Sequence, residues 1–399
     1  VYALFGAICT LCLGLVSFTD VAYVFSNIWN ASLSLISIMI ISIILDNIGF
    51  FRWAALTMVL TAEGSRTRLF VNLIFLGSII SMFFNNDGAI LILTPIIYEA
   101  MKCIGLSYKE TIPFLFACSY IADTASVPIV VSNLANIVAA DTLSITFQYY
   151  FSKMLIPGLV IILVVSLTMY INFKSELKGT YSMINIPNPD NEVSDWILFN
   201  TGIFVLIFVI IGYFIGGVYN IPVSIISSLG AIIILIHGRY RETIRVRDIL
   251  KKAPWTILIF VLSMYLIVYS FYINGLNNIM IELLEYLNTK SLLMASLIYG
   301  IISAIGACFM NNLPSVMVGA IAINDSILSD ATREIISFAN VIGSDVGSKI
   351  TPIGSLATIM WIKILSERGI KISFREYTVT SFKIIAPALI LGLIVLSIM

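Results

Sequence analysis

The sequence predicts an all-α polytopic membrane protein with two inverted-topology repeats, each containing a re-entrant hairpin and a discontinuous helix. Hydrophobic residues make up 59% of the 399 residues and charged residues 11%, whereas a soluble domain has roughly a quarter charged residues. Long apolar segments recur along the chain, and polar residues interrupt several of them. The interruptions return at a nearly constant offset, which indicates an internal repeat.

Charge and cysteine content exclude several classes of protein. The 22 cationic and 22 anionic side chains give a formal net charge of zero, so the composition does not indicate a nucleic-acid partner. The five cysteines lie in apolar segments without the spacing of a disulfide framework, and Cys9 with Cys12 is best explained by helix packing. We predict no cofactor and no resident metal ion.

Apolar segments of membrane-crossing length define two halves. About 20 residues of helix cross a bilayer at 1.5 Å per residue. A polar segment at 172–195, with two prolines, divides the chain and is predicted to be a linker between a first repeat at 1–171 and a second at 196–399. The predicted spans are 2–18, 30–48, 151–171, 196–214, 222–237, 254–273 and 377–398.

Each half also contains an apolar run that is interrupted near its middle. Residues 69–101 are interrupted at 85–88, and residues 291–323 are interrupted at 311–314. Polar residues in the centre of an apolar run are typical of a hairpin whose tip stops partway through the bilayer.

A second kind of interruption follows each hairpin. Residues 111–146 contain Asp123 among hydroxyl and amide side chains, and residues 339–358 contain Asp345, Lys349, three glycines and a proline. Because lipid offers no water to backbone groups, non-helical backbone at this depth needs protein or a wet cavity around it. Both segments are therefore predicted to be broken helices that form a binding site.

The two halves align by residue number. One offset of 226 residues relates the earlier positions, and an offset of 222 relates the later ones. By the same offset, the partner of span 196–214 would precede Val1, so we expect an additional helix upstream of this numbering. The paired positions are Trp29 with Trp255, Gly49 with Gly275, Asn85–Asn86 with Asn311–Asn312, Asp123 with Asp345, and Leu134 with Leu356.

The distribution of cations predicts the orientation. If the hairpins do not cross, each half has an odd number of crossings and the halves are inverted. Placing the basic loop 238–252 in the cytoplasm puts 17 of the 22 cations there, as the positive-inside rule favours. We therefore expect 172–195 and 238–252 in the cytoplasm and the C-terminus outside it. An ordinary bundle in which every apolar arm crosses would also fit the hydropathy.

Inverted repeats with broken helices place a transported substrate near the bilayer midplane. Half-helix ends offer unpaired N–H and C=O groups, asparagine offers a donor and an acceptor, and Ser and Thr add hydroxyls. Such a neutral site suits a small polyhydroxy solute better than a bare cation or a dicarboxylate. The candidate substrate-binding residues are Asn85, Asn86, Asp87, Thr124, Ser126, Ser132, Asn133, Asn136, Asn311, Asn312, Ser315, Thr351, Ser355 and Thr358.

Four charged residues lie at or near this site and are candidates for proton coupling: Asp87, Asp123, Asp345 and Lys349. Asp345 and Lys349 are four residues apart, the spacing of a helical ion pair if the helix extends that far. We hypothesise that Lys349 occupies the place of a transported sodium ion and that Asp87 and Asp123 are the favoured proton carriers. The alternative is that each acid caps the N-terminus of a half-helix.

At these motifs the sequence resembles the arsenite efflux permease family, the membrane component of arsenical pumps within the ion transporter superfamily. The matching segments are LDNIGFFRWAAL at 45–56, NDGAILILTPI at 86–96, IADTASVPIVVSNLANIV at 121–138, IPVS at 221–224 and ANVIGSDVGSKITPIGSLATIMW at 339–361.

The resemblance implies export of arsenite and antimonite across the plasma membrane, driven by the proton gradient or, with a separate ATPase subunit, by ATP. It also implies an additional N-terminal span. Members of the family often have cysteine where this chain has Ser344, which weakens any thiolate role there. Only Cys118 and Cys308 lie near the motifs, so we expect the metalloid to be carried as a neutral hydroxide.

Other functions fit part of the pattern. A sodium/proton antiporter or a dicarboxylate carrier of the same superfamily is the main alternative, and a passive channel is another. An intramembrane aspartyl protease could use Asp123 and Asp345 as a dyad, but it has no use for two hairpins and the chain lacks GxGD. Gly343–Lys349 lacks the GK[ST] ending of a phosphate loop. We predict that the protein is not an enzyme.

Overall fold

A computed structural model describes residues 2–184 and 186–399. Apart from an isolated bridge between Ser65 and Thr180, its regular structure is helical. Eight helices in this described part are long and apolar enough to cross a membrane. The α-helices are α1 Tyr2–Cys12, α2 Phe18–Asn47, α3 Phe50–Thr61, α4 Arg66–Phe83, α5 Asn86–Cys103, α6 Tyr108–Thr124, α7 Leu134–Thr142, α8 Phe147–Asn172, α9 Lys174–Leu177, α10 Trp196–Val218, α11 Val223–Tyr240, α12 Val246–Lys252, α13 Trp255–Phe271, α14 Asn277–Asn288, α15 Leu292–Met310, α16 Asn312–Asp325, α17 Asp330–Gly347, α18 Leu356–Glu367 and α19 Phe374–Ile398.

The predicted fold class is confirmed. Helices α4 and α5 form the first hairpin and α15 and α16 the second, each pair joined at its asparagines. Each hairpin is followed by a discontinuous helix, α6 with α7 in the first repeat and α17 with α18 in the second. Short 3₁₀ turns at Val130–Ser132, Ser348–Ile350 and Pro352–Gly354 connect the half-helices.

The paired glycines mark equivalent bends. Gly49 has φ 88° between α2 and α3, and Gly275 has φ 127° in the π-helical turn between α13 and α14. This region of φ favours glycine, because a Cβ atom is strained there. At Gly49 a Cβ would also overlap the carbonyl oxygen of Glu192 in the linker. The residue-number offset therefore identified a structural repeat.

The first two predicted spans have different boundaries in the structure. Helix α1 ends at Cys12, and α2 begins at Phe18 and runs without a break to Asn47. A capping box starts α2: Ser17 Oγ accepts from Asp20 N–H, and Asp20 Oδ2 accepts from Ser17 N–H at 2.7 Å. Hydropathy alone placed this boundary about a dozen residues too late, because polar residues in the first turns of α2 resemble a loop.

The linker packs against the base of the first hairpin. The Arg66 guanidinium donates to the carbonyls of Thr180 and Lys178 at 3.2 and 3.3 Å and pairs with Glu110 at 2.6 Å. At the other end of the linker, Ser194 N–H donates to the Ile48 carbonyl at 3.1 Å. The segment that joins the repeats is thus attached to the chain on both sides of α3.

Small residues bring α15 and α17 into direct backbone contact. A Cβ at Gly343 would overlap the Gly300 carbonyl, and a Cβ at Gly347 would overlap the Ala304 side chain. Close approach of this kind is how membrane helices associate without a layer of side chains between them. It holds the second hairpin against the broken helix that carries Asp345.

Candidate functional site

The two hairpin tips present their asparagines in similar ways. Asn85 caps α5, and its Oδ1 accepts from Asp87 and Gly88 N–H at 3.0 and 3.4 Å. The second asparagine of each tip turns its oxygen to the next backbone N–H: Asn86 accepts from Asp87 at 2.9 Å, and Asn312 accepts from Leu313 at 2.9 Å. The amide of this second asparagine also bonds the aspartate of its own repeat: Asn86 Nδ2 donates to Asp123 Oδ1 at 2.7 Å, and the Asn312 side chain bonds Asp345.

Side chains stabilise the unwound backbone of the first broken helix. Ser132 Oγ donates to the Ser126 carbonyl at 2.6 Å, and Asn136 Nδ2 donates to the same carbonyl at 3.2 Å. Asn133 caps α7 by accepting from Ala135 N–H at 3.0 Å. Buried polar groups need such partners, which is why this segment is rich in Ser and Asn. Ser132, Asn133 and Asn136 therefore build the break itself.

The second broken helix changes geometry just before its lysine. Helix α17 ends at Gly347, and Lys349 lies in the following 3₁₀ turn. Thr351 Oγ1 donates to the Cys308 carbonyl at 2.8 Å, and Ser355 is the N-terminal flanking residue of α18. The turn directs Lys349 away from the axis of α17.

Lys349 therefore pairs across the two repeats. Its Nζ lies 2.5 Å from Asp123 Oδ2 and donates to Thr358 Oγ1 at 2.7 Å. Asp123 Oδ1 also accepts from Asn86 Nδ2 at 2.7 Å. The expected Asp345–Lys349 helical pair does not form, because α17 ends between the two residues. Lys349 and both aspartates are 0% exposed.

Asp345 is held by neutral groups of the first repeat. Its Oδ2 lies 2.8 Å from Ser126 Oγ, and its Oδ1 accepts from Asn133 Nδ2. Each aspartate thus contacts side chains of the opposite repeat. Asp87 lies close enough to Asp123 and Lys349 for its charge to interact with theirs.

The contacts described above form one buried network of Asn86, Asp123, Ser126, Asn133, Asp345 and Lys349. The remaining candidate residues have other partners. Ser315 Oγ donates to the Ser303 carbonyl at 2.8 Å, and Thr124 Oγ1 donates to the Tyr120 carbonyl at 2.7 Å. Asn311, in the φ > 0 region at 81°, lies 3.5 Å from the Ile353 carbonyl. These three side chains support the backbone around the site, and within the described residues none of them is hydrogen-bonded to either aspartate.

Two buried amide atoms at the site have no hydrogen-bond partner within the described residues, Nδ2 of Asn85 and Oδ1 of Asn136. Asn85 Nδ2 is a hydrogen-bond donor, and Asn136 Oδ1 is an acceptor. Asn85 is 1% exposed and Asn136 is 0% exposed. Unpartnered buried polar groups are uncommon in proteins, which distinguishes these two atoms from the bonded amides around them.

A polar stripe on α17 was not predicted from the sequence. Asn340 Oδ1 accepts from Ser303 Oγ at 3.0 Å, and its Nδ2 donates to the Val316 carbonyl at 2.8 Å. Ser344 Oγ lies 3.2 Å from Ser315 Oγ. Residues 340, 344 and 348 are spaced four apart, and this spacing indicates one polar face of a helix.

Two cavities lie near opposite ends of α2. One of about 600 Å³ is lined by α5 and by the charged residues Asp46, Arg52, Glu99, Glu192 and Arg368. The other, of about 410 Å³, is lined by α2, α7 and the 219–222 turn. Neither cavity is lined by Asp123, Asp345 or Lys349, so the network is closed to both.

Comparison with known proteins decides the family. A family profile described as arsenical pump membrane protein (ArsB) matches residues 2–399. This chain belongs to the arsenical pump membrane protein family. It is therefore a multi-pass membrane transporter and not an enzyme.

Curated members of the arsenical pump family are similar over nearly the whole chain. The arsenical pump membrane protein of Escherichia coli (strain K12) is 38% identical over 395 residues, covering 99% of this chain and 92% of that protein. The protein of the same name from Yersinia enterocolitica is 37% identical over 96% of this chain and 90% of its own length.

A solved structure supports the fold. The Alcanivorax borkumensis YdaH transporter, described as having an unusual topology, matches with a TM-score of 0.67 at 12% identity, covering 96% of this chain and 87% of that chain. At this identity the match supports the architecture and not the substrate.

Proposed function

We propose that the protein exports arsenite and antimonite from the cytoplasm as neutral hydroxides in exchange for protons. The observation that carries this proposal is the internal pairing of Lys349 with Asp123 at 2.5 Å. Because the lysine is already neutralised by protein, it attracts neither a dicarboxylate nor any other anion. The groups left around it are hydroxyls and amides, which suit an uncharged hydroxylated solute.

The proposed substrate contacts come from both repeats. Asn85 Nδ2 and Asn136 Oδ1 supply a free donor and a free acceptor at the first hairpin and the first broken helix. Thiolate capture has little support, since no group of three or more His, Cys, Asp or Glu side chains in the described residues could hold a metal ion. Cys308 Sγ donates instead to the Gly347 carbonyl at 3.3 Å. We assign substrate binding to the full set of candidate residues given above.

Proton coupling is assigned to Asp87, Asp123, Asp345 and Lys349. Charges buried at this depth are costly unless they are paired or neutralised, so a change in protonation alters which conformation is favoured. Lys349 supplies the fixed cation that a sodium-coupled carrier would take from solution.

We place repeat 1–171, linker 172–195 and repeat 196–399 in the plasma membrane with 172–195 and 238–252 in the cytoplasm and the C-terminus outside. In this orientation the 600 Å³ cavity, which includes Pro187 and Glu192 of the linker, opens toward the cytoplasm. The 410 Å³ cavity at the 219–222 turn opens toward the opposite side. A separate ATPase subunit would bind on the cytoplasmic face.

Uptake of labelled arsenite into everted membrane vesicles tests the function. We expect accumulation that an uncoupler abolishes and that does not change when sodium is replaced by choline. Sodium-dependent uptake, or uptake of a labelled dicarboxylate instead of arsenite, would favour the alternative carriers. Vesicles with and without the ATPase subunit measure whether ATP adds to the proton-driven component.

A further inference from the structure

The two equivalent aspartates have different electrostatic environments. Asp123 forms an ion pair with Lys349 at 2.5 Å. Asp345, which is also 0% exposed, contacts the Ser126 hydroxyl and the amides of Asn133 and Asn312, and no described Lys, Arg or His forms an ion pair with it. An ionised carboxylate without a cation is costly to bury.

The repeat itself explains the missing cation. The offset of 222 residues that pairs Asp345 with Asp123 also pairs Lys349 with Val127. Val127 is fully buried, and its carbonyl accepts from Tyr150 OH at 3.0 Å. The first repeat therefore has an apolar side chain at the position from which the second repeat supplies an ammonium group.

Counting hydrogen-bond protons around Ser126 gives an independent indication. Ser126 Oγ lies 2.5 Å from the Asp123 carbonyl and 2.8 Å from Asp345 Oδ2. A hydroxyl has one proton to donate, and a carbonyl can only accept. If Ser126 donates to the carbonyl, the contact with Asp345 needs a proton on the Asp345 carboxyl, which then donates to Ser126.

The other titratable groups facing Asp345 agree with a neutral carboxyl. They are Asp123 on α6, Lys349 in the 3₁₀ turn and Tyr150 on α8, with Asp87 interacting through Asp123 and Lys349. Three ionised carboxylates and one ammonium would leave two uncompensated negative charges in a buried cluster. Protonating Asp345, which has no cation at ion-pair distance, removes one of these two charges, and the other is on Asp87.

We infer that Asp345 is the carboxyl that carries the exchanged proton and that it is protonated in this closed state. The inference rests on the proposed proton exchange and selects one of its four candidate groups, in place of Asp87 or Asp123. The carboxylate takes up one proton from the extracytoplasmic side, and the O–H bond breaks when the proton is released to the cytoplasm. Asp123 stays ionised beside Lys349 throughout.

Infrared difference spectroscopy of the purified full chain in lipid tests the protonation directly. We expect the wild-type protein at neutral pH to show a protonated-carboxyl C=O band that is absent from Asp345→Asn and present in the matched control Asp325→Asn. Asp325 is a carboxyl outside the network that accepts from Tyr272 OH at 2.7 Å. Identical band intensity in wild type and Asp345→Asn would overturn the inference.

A second variant keeps the test decisive if Asp345→Asn does not fold. Ser126→Ala removes the acceptor of the Asp345 proton, so the band should remain and shift in frequency. A band unchanged in Ser126→Ala would contradict the assigned hydrogen bond and overturn the inference.

Transport measurements separate failure of this inference from failure of the proposed function. In proteoliposomes, Asp345→Asn should keep exchange of labelled for unlabelled arsenite but lose accumulation driven by a pH gradient. If the wild-type protein moves no arsenite, the proposed function fails while the infrared result stands. If Asp345→Asn accumulates arsenite as the wild type does, or wild-type exchange requires sodium, Asp345 is not the proton carrier.

Discussion

Lys349 and Asp123 form a fully buried ion pair that joins the second repeat to the first, with Nζ 2.5 Å from Oδ2. Lys349→Met leaves the Asp123 carboxylate without its cation, and breaking a buried pair costs about 3–5 kcal/mol. We expect the variant to lose arsenite transport at low sodium and to regain part of it as sodium is added, measured as uptake into vesicles. Normal, sodium-independent transport would contradict the hypothesis that Lys349 occupies the place of a transported sodium ion.

The double variant Lys349→Met, Asp123→Asn provides the comparison for that experiment. With both charges removed, folding should recover relative to the single variant, while transport should stay impaired. The partly exposed pair Lys153–Glu334 is the matched control, since its side chains are 26% and 32% exposed. Lys153→Met should change stability by no more than about 1 kcal/mol.

Asn133 has two roles, as the cap of α7 and as a donor to Asp345. Asn133→Ala leaves the buried Ala135 N–H without its side-chain partner and removes one of the donors to Asp345, at a cost of about 1–3 kcal/mol for each unsatisfied group. We expect a lower thermal midpoint in detergent and weaker arsenite binding. Asn188→Ala is the control, because Asn188 makes a similar contact with Asp190 N–H at 3.0 Å on the exposed linker. An equal effect of the two substitutions would argue against a role of Asn133 in the site.

The contact between α15 and α17 should tolerate no side chain. A Cβ at Gly347 would overlap Ala304, so Gly347→Ala should separate the helices and reduce both folded yield and transport. Gly77→Ala is the control, because the new Cβ would lie 3.4 Å from Ile121 Cγ2, an ordinary contact. The higher helix propensity of alanine should offset any loss of stability in this variant by up to about 1 kcal/mol. Equal folded yields for the two variants, measured by size-exclusion chromatography, would show that the contact is not tight.

The N-terminal end of α10, where Asp195 lies, should give the protein a pH-dependent stability. Partial burial of Asp195 would raise its pKa, but bonds from Thr243, Leu198 N–H and Arg241 outweigh it and lower the pKa from 3.8 to about 2. Because the pKa is depressed on folding, the ionised form stabilises the protein at pH above 3.8, and this contribution is lost as the pH falls toward 2.

Asp195→Asn removes that contribution at every pH. The difference in thermal midpoint between wild type and variant should be largest near neutral pH and should narrow as the pH is lowered below about 4. A difference that stays constant with pH would mean that the charge of Asp195 does not contribute. Lowering salt at neutral pH should enlarge the difference, since the Asp195–Arg241 pair is partly exposed.

Transport should not depend on thiols. Cys308→Ser keeps a donor to the Gly347 carbonyl, and Cys118→Ser replaces one small buried side chain with another. If arsenite is carried as the hydroxide, the double variant should transport at a rate within about twofold of the wild type, a difference of less than 1 kcal/mol. A loss of both arsenite and antimonite transport in a folded double variant would indicate a thiol in the path.

The sequence allowed prediction of the features that repeat. The double asparagines, the two aspartates and the paired glycines all lie at equivalent places in the fold, because each marks a point where helical backbone must stop or bend. Such positions depend on local chemistry, and local chemistry is visible in one chain. The partners of Lys349 were not predictable in the same way. They depend on a change from α-helix to 3₁₀ turn at Ser348 and on the side chains that the opposite repeat presents.

The α15–α17 contact determines which parts of the protein can move. Because backbone meets backbone at Gly300 and Gly343, there is no layer of side chains that could slide or change rotamer between these helices. The second hairpin and the N-terminal half of its broken helix must therefore travel as one rigid body. We expect opening of the site to occur where α7 meets α2, beside the Asn30–Asp141 hydrogen bonds of 2.8 and 3.0 Å.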